Sequence, residues 1–201
     1  MSTPKRCGNP LTEGKIRSFI AIEVNKGDIQ ECIMRFQKDL LETNADLKLV
    51  KAENIHITLK FLGDITLTLK EHISEELKKI YFSPFKIEFR EVGVFPRLNH
   101  INIVWIRIKK GIPELSDLYN QIESRLTKLG FPQENRRFTP HLTVARVRSG
   151  RNKNILAQMI IERQNSDFGS LLVDSIKLKK SILTSIGPQY STLFEVKGIK
   201  K

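Results

Sequence analysis

Cysteine, tryptophan and long apolar runs are all scarce in this 201-residue chain, which has two cysteines and one tryptophan. Neither Cys7 nor Cys32 belongs to a CxxC pair, so a structural zinc has no ligand set, and two thiols cannot build a disulfide scaffold. Such sparing use fits a reducing cytoplasm. No apolar stretch approaches the ~18 residues that span a bilayer as a helix. The phosphate-binding loop GxxxxGK[ST], the zinc motif HExxH and an RNP-type aromatic motif are also missing. That excludes a P-loop hydrolase and leaves no mark of an ordinary RNA-recognition domain. The opening MSTPKRCGNPLTEGK lacks the apolar core of a signal peptide, and residues 1–15 are expected to form a flexible extension.

Acidic residues are the remaining shortage. There are 22 of them against 34 Lys and Arg, which gives a net charge of +12. This excess favours an anionic partner, nucleic acid before an anionic membrane surface. It does not say whether the partner is bound or also processed. With 40% hydrophobic residues, the chain can bury one large core or two smaller ones.

Runs of β-branched and alternating residues predict strands at 17–24, 47–50, 54–63, 85–95, 100–108, 141–147, 175–185 and 191–199. Helices are expected at 28–44, 66–80, 112–130 and 152–165. Their stripes are of the kind Ile29, Ile33, Phe36, Leu40 or Leu69, Ile73, Leu77, Ile80. Asp28 suits the first helix as an N-cap, and Gly130 suits the end of the third. The alternation of the two element types indicates a mixed α and β protein. It also falls into two similar halves.

Each half carries one unusual strand. NIHITLKFLGD (54–64) and RFTPHLTVARV (137–147) both set a histidine and a threonine two positions apart in an apolar run, and His141 follows His56 by 85 residues. Residues i and i+2 of a strand share a face. His56 and Thr58 therefore lie together, as do His141 and Thr143, while Ile55, Ile57, Leu59 and Phe61 are expected on the opposite, core-facing side. A lone H-x-T is weak evidence, but its repetition on matching strands points to one composite site. Imidazole titrates near ~6.5, so a neutral and a protonated ring can work as base and acid on a phosphate ester. The hydroxyls would donate to the phosphoryl oxygens, where negative charge must be accommodated. His72, mid-helix among charges, reads as solvated, and His100 as the start of a strand.

HITLKFLGD and FTPHLTVARV resemble the paired HxTx motifs of the 2H phosphoesterase superfamily. The closest likeness is to its RNA 2′,3′-cyclic phosphodiesterase branch, historically called 2′-5′ RNA ligase. IRSFIAIEV, GVFPRL and SIKLKKSILTSIGPQYSTL extend the likeness over residues 16–199. It implies a bilobal α+β fold, with two pseudo-symmetric lobes whose antiparallel sheets line a central cleft and whose helices lie outside. It further implies metal-independent hydrolysis of RNA 2′,3′-cyclic phosphate ends to 2′-phosphates, without a cofactor. By analogy His56 is the proton donor, His141 the proton acceptor, and Thr58 and Thr143 hold the phosphate. The residues alone leave the acid and base assignment open.

Four further side chains are candidates for substrate contact: Phe19, Phe138 and Tyr190 as cleft-lining or base-stacking rings, and Arg146 as a phosphate contact. Strict alternation puts Arg146 on the face away from His141 unless a bulge intervenes. Expected partners are RNA ends or oligonucleotides with a 2′,3′-cyclic phosphate, tRNA fragments among them, with no membrane. Both motifs lie in one chain, so a monomer suffices. Two rival readings stay open: a non-catalytic nucleotide- or RNA-binding module using the same cleft, and a metal-dependent hydrolase. The latter lacks the HExxH motif. ATP-independent 2′-5′ ligation is a conceivable side activity.

Overall fold

A computed structural model describes residues 14–24, 27–185 and 187–199. Of the expected extension, residues 1–13 lie outside the described residues, as does Cys7. The elements run β1 (Ile16–Glu23), α1 (Asp28–Glu42), β2 (Leu47–Leu49), a 3₁₀ turn (Ala52–Asn54), β3 (His56–Ile65), α2 (Leu67–Leu77), β4 (Phe85–Arg97), β5 (His100–Lys110), α3 (Ile112–Thr127), β6 (His141–Val147), α4 (Lys153–Glu162), β7 (Asp167–Val173), β8 (Ser175–Thr184) and β9 (Gly187–Lys197). Asp28 is not a cap: Gly27 occupies that position and no side chain bonds there. The Asp28 carboxylate sits in the first turn, where the helix dipole favours it. β7 has no counterpart in the sequence reading. Its DFGSLLV opens on Asp and carries Gly169 at φ 93°, both poor strand signals, and pairing with β4 holds it.

All pairings are antiparallel and join nine strands into one sheet, ordered β7-β4-β5-β6-β3-β1-β8-β9, with β2 beside β6. The halves meet where β3 faces β6, at the pair Ile57↔Leu142. Beyond it β6 pairs with β2, from Leu49↔Ala145 to Leu47↔Val147, while β3 pairs with β1. The two motif strands thus touch at their motifs and then part. Ile57 and Leu142 are fully buried in a core shared with Ile20 and Ile106 of the sheet, Ile33 and Leu40 of α1, Ile73 of α2, Leu118 and Ile122 of α3, and Leu156 of α4. The helices therefore cover this face and leave the histidine face free of them. On that open side the sheet curls: β9 stands three strands from β3, yet the Tyr190 and His56 rings are 5.3 Å apart. Neighbouring strands in a flat sheet would alone be ~4.8 Å apart.

Both motif strands bulge at the same place. In β3 the partners of Ile20 and Ala21 are Lys60 and Thr58, leaving Leu59 extra. In β6 the partners of Val104 and Trp105 are Ala145 and Thr143, leaving Val144 extra. The Val144 carbonyl is met by the Val50 N–H at 2.9 Å and by the buried Gln37 amide at 2.9 Å. A bulge reverses the in-out alternation after it. Leu59 with Lys60, and Val144 with Ala145, are buried, and the next residue of each strand, Phe61 or Arg146, emerges on the histidine face. The expectation that Phe61 joins the core face is therefore wrong: it is 70% exposed. For Arg146 the conditional bulge is present.

Lys60, turned inward by the same bulge, meets Glu123 of α3 at 2.6 Å, with side-chain exposures of 3% and 9%. Its ammonium also donates to the Pro132 carbonyl at 3.0 Å, and the Glu134 N–H reaches the other Glu123 oxygen at 3.4 Å. The pair thereby pins the irregular segment that leads into His141. Removing one partner strands a buried charge, so Glu123→Ala should lower unfolding stability by about 3–5 kcal/mol. The apolar double replacement Lys60→Met with Glu123→Leu should recover most of that loss. Urea unfolding of the three proteins measures the difference.

Candidate active site

Each histidine opens its strand, and each is fixed by the backbone two residues before it. The Nδ1 of His56 lies 2.7 Å from the Asn54 carbonyl, and that of His141 lies 2.8 Å from the Thr139 carbonyl. A carbonyl only accepts, so both Nδ1 atoms carry a hydrogen and both Nε2 atoms are left to exchange protons. Asn54 is itself held, its amide donating to the Pro188 carbonyl on β9 at 2.8 Å. Extending the antiparallel Ile57↔Leu142 register puts His56 across from Thr143 and Thr58 across from His141. All four side chains are half-buried.

A pair of aromatic rings surrounds each imidazole. His56 packs against Phe19 at 5.0 Å and meets Tyr190 edge-on at 5.3 Å; His141 meets Phe95 at 5.1 Å and Trp105 at 5.9 Å, both edge-on. Phe95 and Trp105 stack at 4.9 Å. Gly93 gives the Trp105 ring its room, since a Cβ there would lie 2.3 Å from it.

Burial beneath Phe19 and Tyr190 pushes the His56 pKa below the usual imidazole range. The bond to Asn54 and the Glu23 carboxylate oppose this, while the Lys179 ammonium and the facing His141 add to it. Glu23, the β1 partner of His56, is pulled up by burial and brought down further by hydrogen bonds from Lys177 and Lys179, ending below its ordinary value. The Tyr190 hydroxyl is raised by burial against the fields of Arg146 and Arg17. Those guanidiniums therefore stand near Tyr190, with Lys48 across from Arg146 on β2.

Of the other candidates from the sequence, Phe19, Tyr190 and Arg146 come to this face. Phe19 is 4% exposed, so it supports His56 and offers no free face to a base. Phe138 does not join the histidines. It stacks on Tyr119 of α3 at 4.2 Å with the rings 7° from parallel. His72 and His100 are exposed on α2 and at the start of β5. Sequence reasoning missed Phe95, Trp105, Glu23 and Lys179. The lone tryptophan two strand positions from Arg107 was the available signal for one of them; the rest depend on pairing partners distant in sequence. Among the described residues no three His, Cys, Asp or Glu side chains group as a metal site. A groove of about 500 Å³ lies elsewhere, between α1 and the start of β7. Its charges include the Arg163–Asp39 ion pair at 2.8 Å, and it contains no histidine.

The profile of the AKAP7 2′5′ RNA ligase-like domain matches residues 18–197. The chain is 39% identical over 166 residues to the RNA 2′,3′-cyclic phosphodiesterase of Aeropyrum pernix, covering 83% of this chain and 94% of that protein. It is 38% identical over 183 residues to the protein of the same name from Methanothermobacter thermautotrophicus, covering 89% and 97%. Apo LigT of Escherichia coli superposes with a TM-score of 0.75 at 23% identity, over 93% of this chain and 99% of LigT. LigT has also been crystallised with 3′-AMP, and that structure gives a TM-score of 0.72 at 21% identity, with 93% and 99% covered.

Opening the Tyr190 side of the His56 enclosure should raise the histidine's titration midpoint. In NMR titrations of the Tyr190→Ala variant we expect the His56 resonance to move from below the normal range toward ~6.5. An unchanged midpoint would mean that burial under Tyr190 is not the cause.

Proposed function

The chain belongs to the AKAP7 2′5′ RNA ligase-like family of 2H phosphoesterases, and from that premise we propose how it acts as a cyclic phosphodiesterase on RNA 2′,3′-cyclic phosphate ends. One observation carries the mechanism: two H-x-T units face each other across one strand pair, each with Nδ1–H anchored on a carbonyl and Nε2 left available. A cyclic phosphate between the Nε2 atoms meets a base on one side and an acid on the other. A water oxygen bonds to phosphorus while His141 Nε2 takes its proton. The bond from phosphorus to O3′ breaks, and O3′ receives the proton of His56 Nε2. A 2′-phosphomonoester and a 3′-hydroxyl result. The Thr58 and Thr143 hydroxyls donate to the non-bridging oxygens, and the Arg146 guanidinium supplies opposite charge nearby. The strained five-membered ring and a protonated leaving group make this route workable without a metal.

The acid role of His56 rests on the resemblance and sets a condition. Burial and Lys179 disfavour its charged form in the free protein, so the bound phosphate anion must restore the proton. A 5′-hydroxyl in place of water would give a 2′-5′ linkage by the same bond changes, the side activity implied by the older family name. We place the enzyme in the cytoplasm as a monomer: its thiols are few, and both H-x-T units come from one chain. RNA fragments with cyclic phosphate ends, those of tRNA included, are its proposed substrates.

A short RNA ending in a 2′,3′-cyclic phosphate, incubated in EDTA and followed by ³¹P NMR, should yield the 2′-monophosphate. His56→Ala and His141→Ala should each lower turnover by about 10²-fold or more, with smaller losses for Thr58→Ala and Thr143→Ala and a bell-shaped pH profile for the wild type. A 3′-monophosphate would overturn the acid and base geometry, and binding without conversion would make the cleft a receptor. Inorganic phosphate should also raise the His56 midpoint in an NMR titration. A midpoint unmoved by bound phosphate would count against His56 as the acid.

A further inference from the structure

Arg107 stands in the same row of the sheet as two of the reactive side chains, yet hydrolysis by water leaves it without a role. It is the β5 partner of His141, and the extended β3–β6 register puts Thr58 on the other side of that histidine. Side chains directly opposite on antiparallel strands share a face, with Cβ atoms roughly 4.5–5.5 Å apart. Thr58, His141 and Arg107 therefore follow one another across three strands on the open face. The buried neighbours Ile106 and Ile108 take the helix side, and Arg107 is exposed.

The guanidinium is held in place. Its carbon lies over the Trp105 ring at 5.5 Å, and that ring stacks on Phe95. Glu91 of β4 meets its Nε at 3.2 Å and also binds Lys109 at 2.7 Å. Glu91 has φ 70° at a break in the β4–β5 register, a left-handed conformation uncommon outside glycine. The Ser166 carbonyl fixes its N–H at 2.9 Å. Among the described residues no hydrogen bond occupies the terminal nitrogens of Arg107, and the buried Trp105 Nε1–H beneath it has no partner. This corner of the site holds more donors than the fold uses.

Two cations thus serve β6 from different places. Arg146 is five residues beyond His141, near Tyr190, whereas Arg107 lies beside His141 on the side away from His56. In the reaction proposed above the attacking oxygen comes from the His141 side, while O3′ departs toward His56 and takes the ribose with it. Whatever carries the nucleophile therefore stands beyond His141. Water carries nothing and has no use for a fixed guanidinium. The 5′-hydroxyl of a second RNA strand carries a phosphate one sugar away from the attacking oxygen, and a guanidinium fork matches that anion.

We propose that Arg107 binds this phosphate and so forms a subsite for a second strand that attacks through its 5′-hydroxyl in place of water. This rests on the reaction proposed above, the base role of His141 included. The 5′ oxygen bonds to phosphorus and gives its proton to His141 Nε2. The bond from phosphorus to O3′ breaks, and O3′ takes the proton of His56 Nε2. The products are a 2′-5′ phosphodiester and a free 3′-hydroxyl, and no nucleotide is consumed.

The test offers an RNA 2′,3′-cyclic phosphate two acceptors, a nucleoside and a 5′-hydroxyl dinucleotide, which differ by the phosphate. The wild type should join the dinucleotide at a lower acceptor concentration. Arg107→Ala should raise the acceptor KM for the dinucleotide about 10- to 100-fold. It should leave the nucleoside's KM, and hydrolysis without acceptor, unchanged. Arg107→Lys keeps the charge without the fork and should fall between. Equal losses in hydrolysis and joining would make Arg107 a support of Trp105 and His141 and overturn the subsite. An unchanged KM for the dinucleotide, or no joining by a wild type that hydrolyses the ring, would overturn it while the reaction stands. A wild type that neither hydrolyses nor joins would remove the reaction and this subsite with it.

Discussion

The pair Ile57↔Leu142 is the constraint on which the site depends. These two residues are fully buried and paired, and each is flanked by the histidine and threonine of its motif. Burying an isoleucine and a leucine against the helices is worth roughly 1.5–3 kcal/mol apiece. A one-residue slip of either strand would turn its motif toward the core and place an imidazole in an apolar interior. The packing of the hidden face therefore sets the register of the reactive one. Each motif contributes an apolar residue to the core and, by alternation, two polar ones to the cleft.

Much of this was legible in the chain because it depends on local periodicity. The stripes of the four helices, the seven-residue strand at His141 and the shared face of each H-x-T follow from spacings of 3.6 and 2. What escaped depends on partners remote in sequence. A bulge is defined by its neighbouring strand, so KFLG and ARVR gave no sign that Phe61 and Arg146 would turn outward. The pairing of Lys60 with Glu123 spans 63 residues, and Lys179 reaches Glu23 across 156. β7 was missed because its own residues favour a strand weakly and its β4 partner supplies the difference. Phe138 looked free in sequence because nothing local foretold Tyr119.

The duplicated parts of the site matter less for direction than the places where duplication fails. Both histidines have the same anchor and a pair of neighbouring rings. Only His56 sits beside a buried ammonium, that of Lys179, itself tied to Glu23. Two lysines and the Glu23 carboxylate next to one imidazole, with Glu195 at 3.7 Å from Lys177, make the surroundings of the two rings unequal before any substrate arrives. A symmetric pair of imidazoles would offer two equivalent orientations to a phosphate. Unequal rings favour one.

The bulges extend that inequality to the rest of the cleft. Each strand needs its bulge to leave the shared register without exposing its core residues: Leu59 and Lys60 turn inward together, as do Val144 and Ala145. The side chain that follows must then face the cleft, whatever its chemistry. In one half this forced outward position is an aromatic ring and in the other a guanidinium. Because the sheet geometry is the same on both sides, the difference lies in residue identity alone. A single substitution at either position would change the chemistry that the cleft presents while the pairing that holds the histidines stays in place.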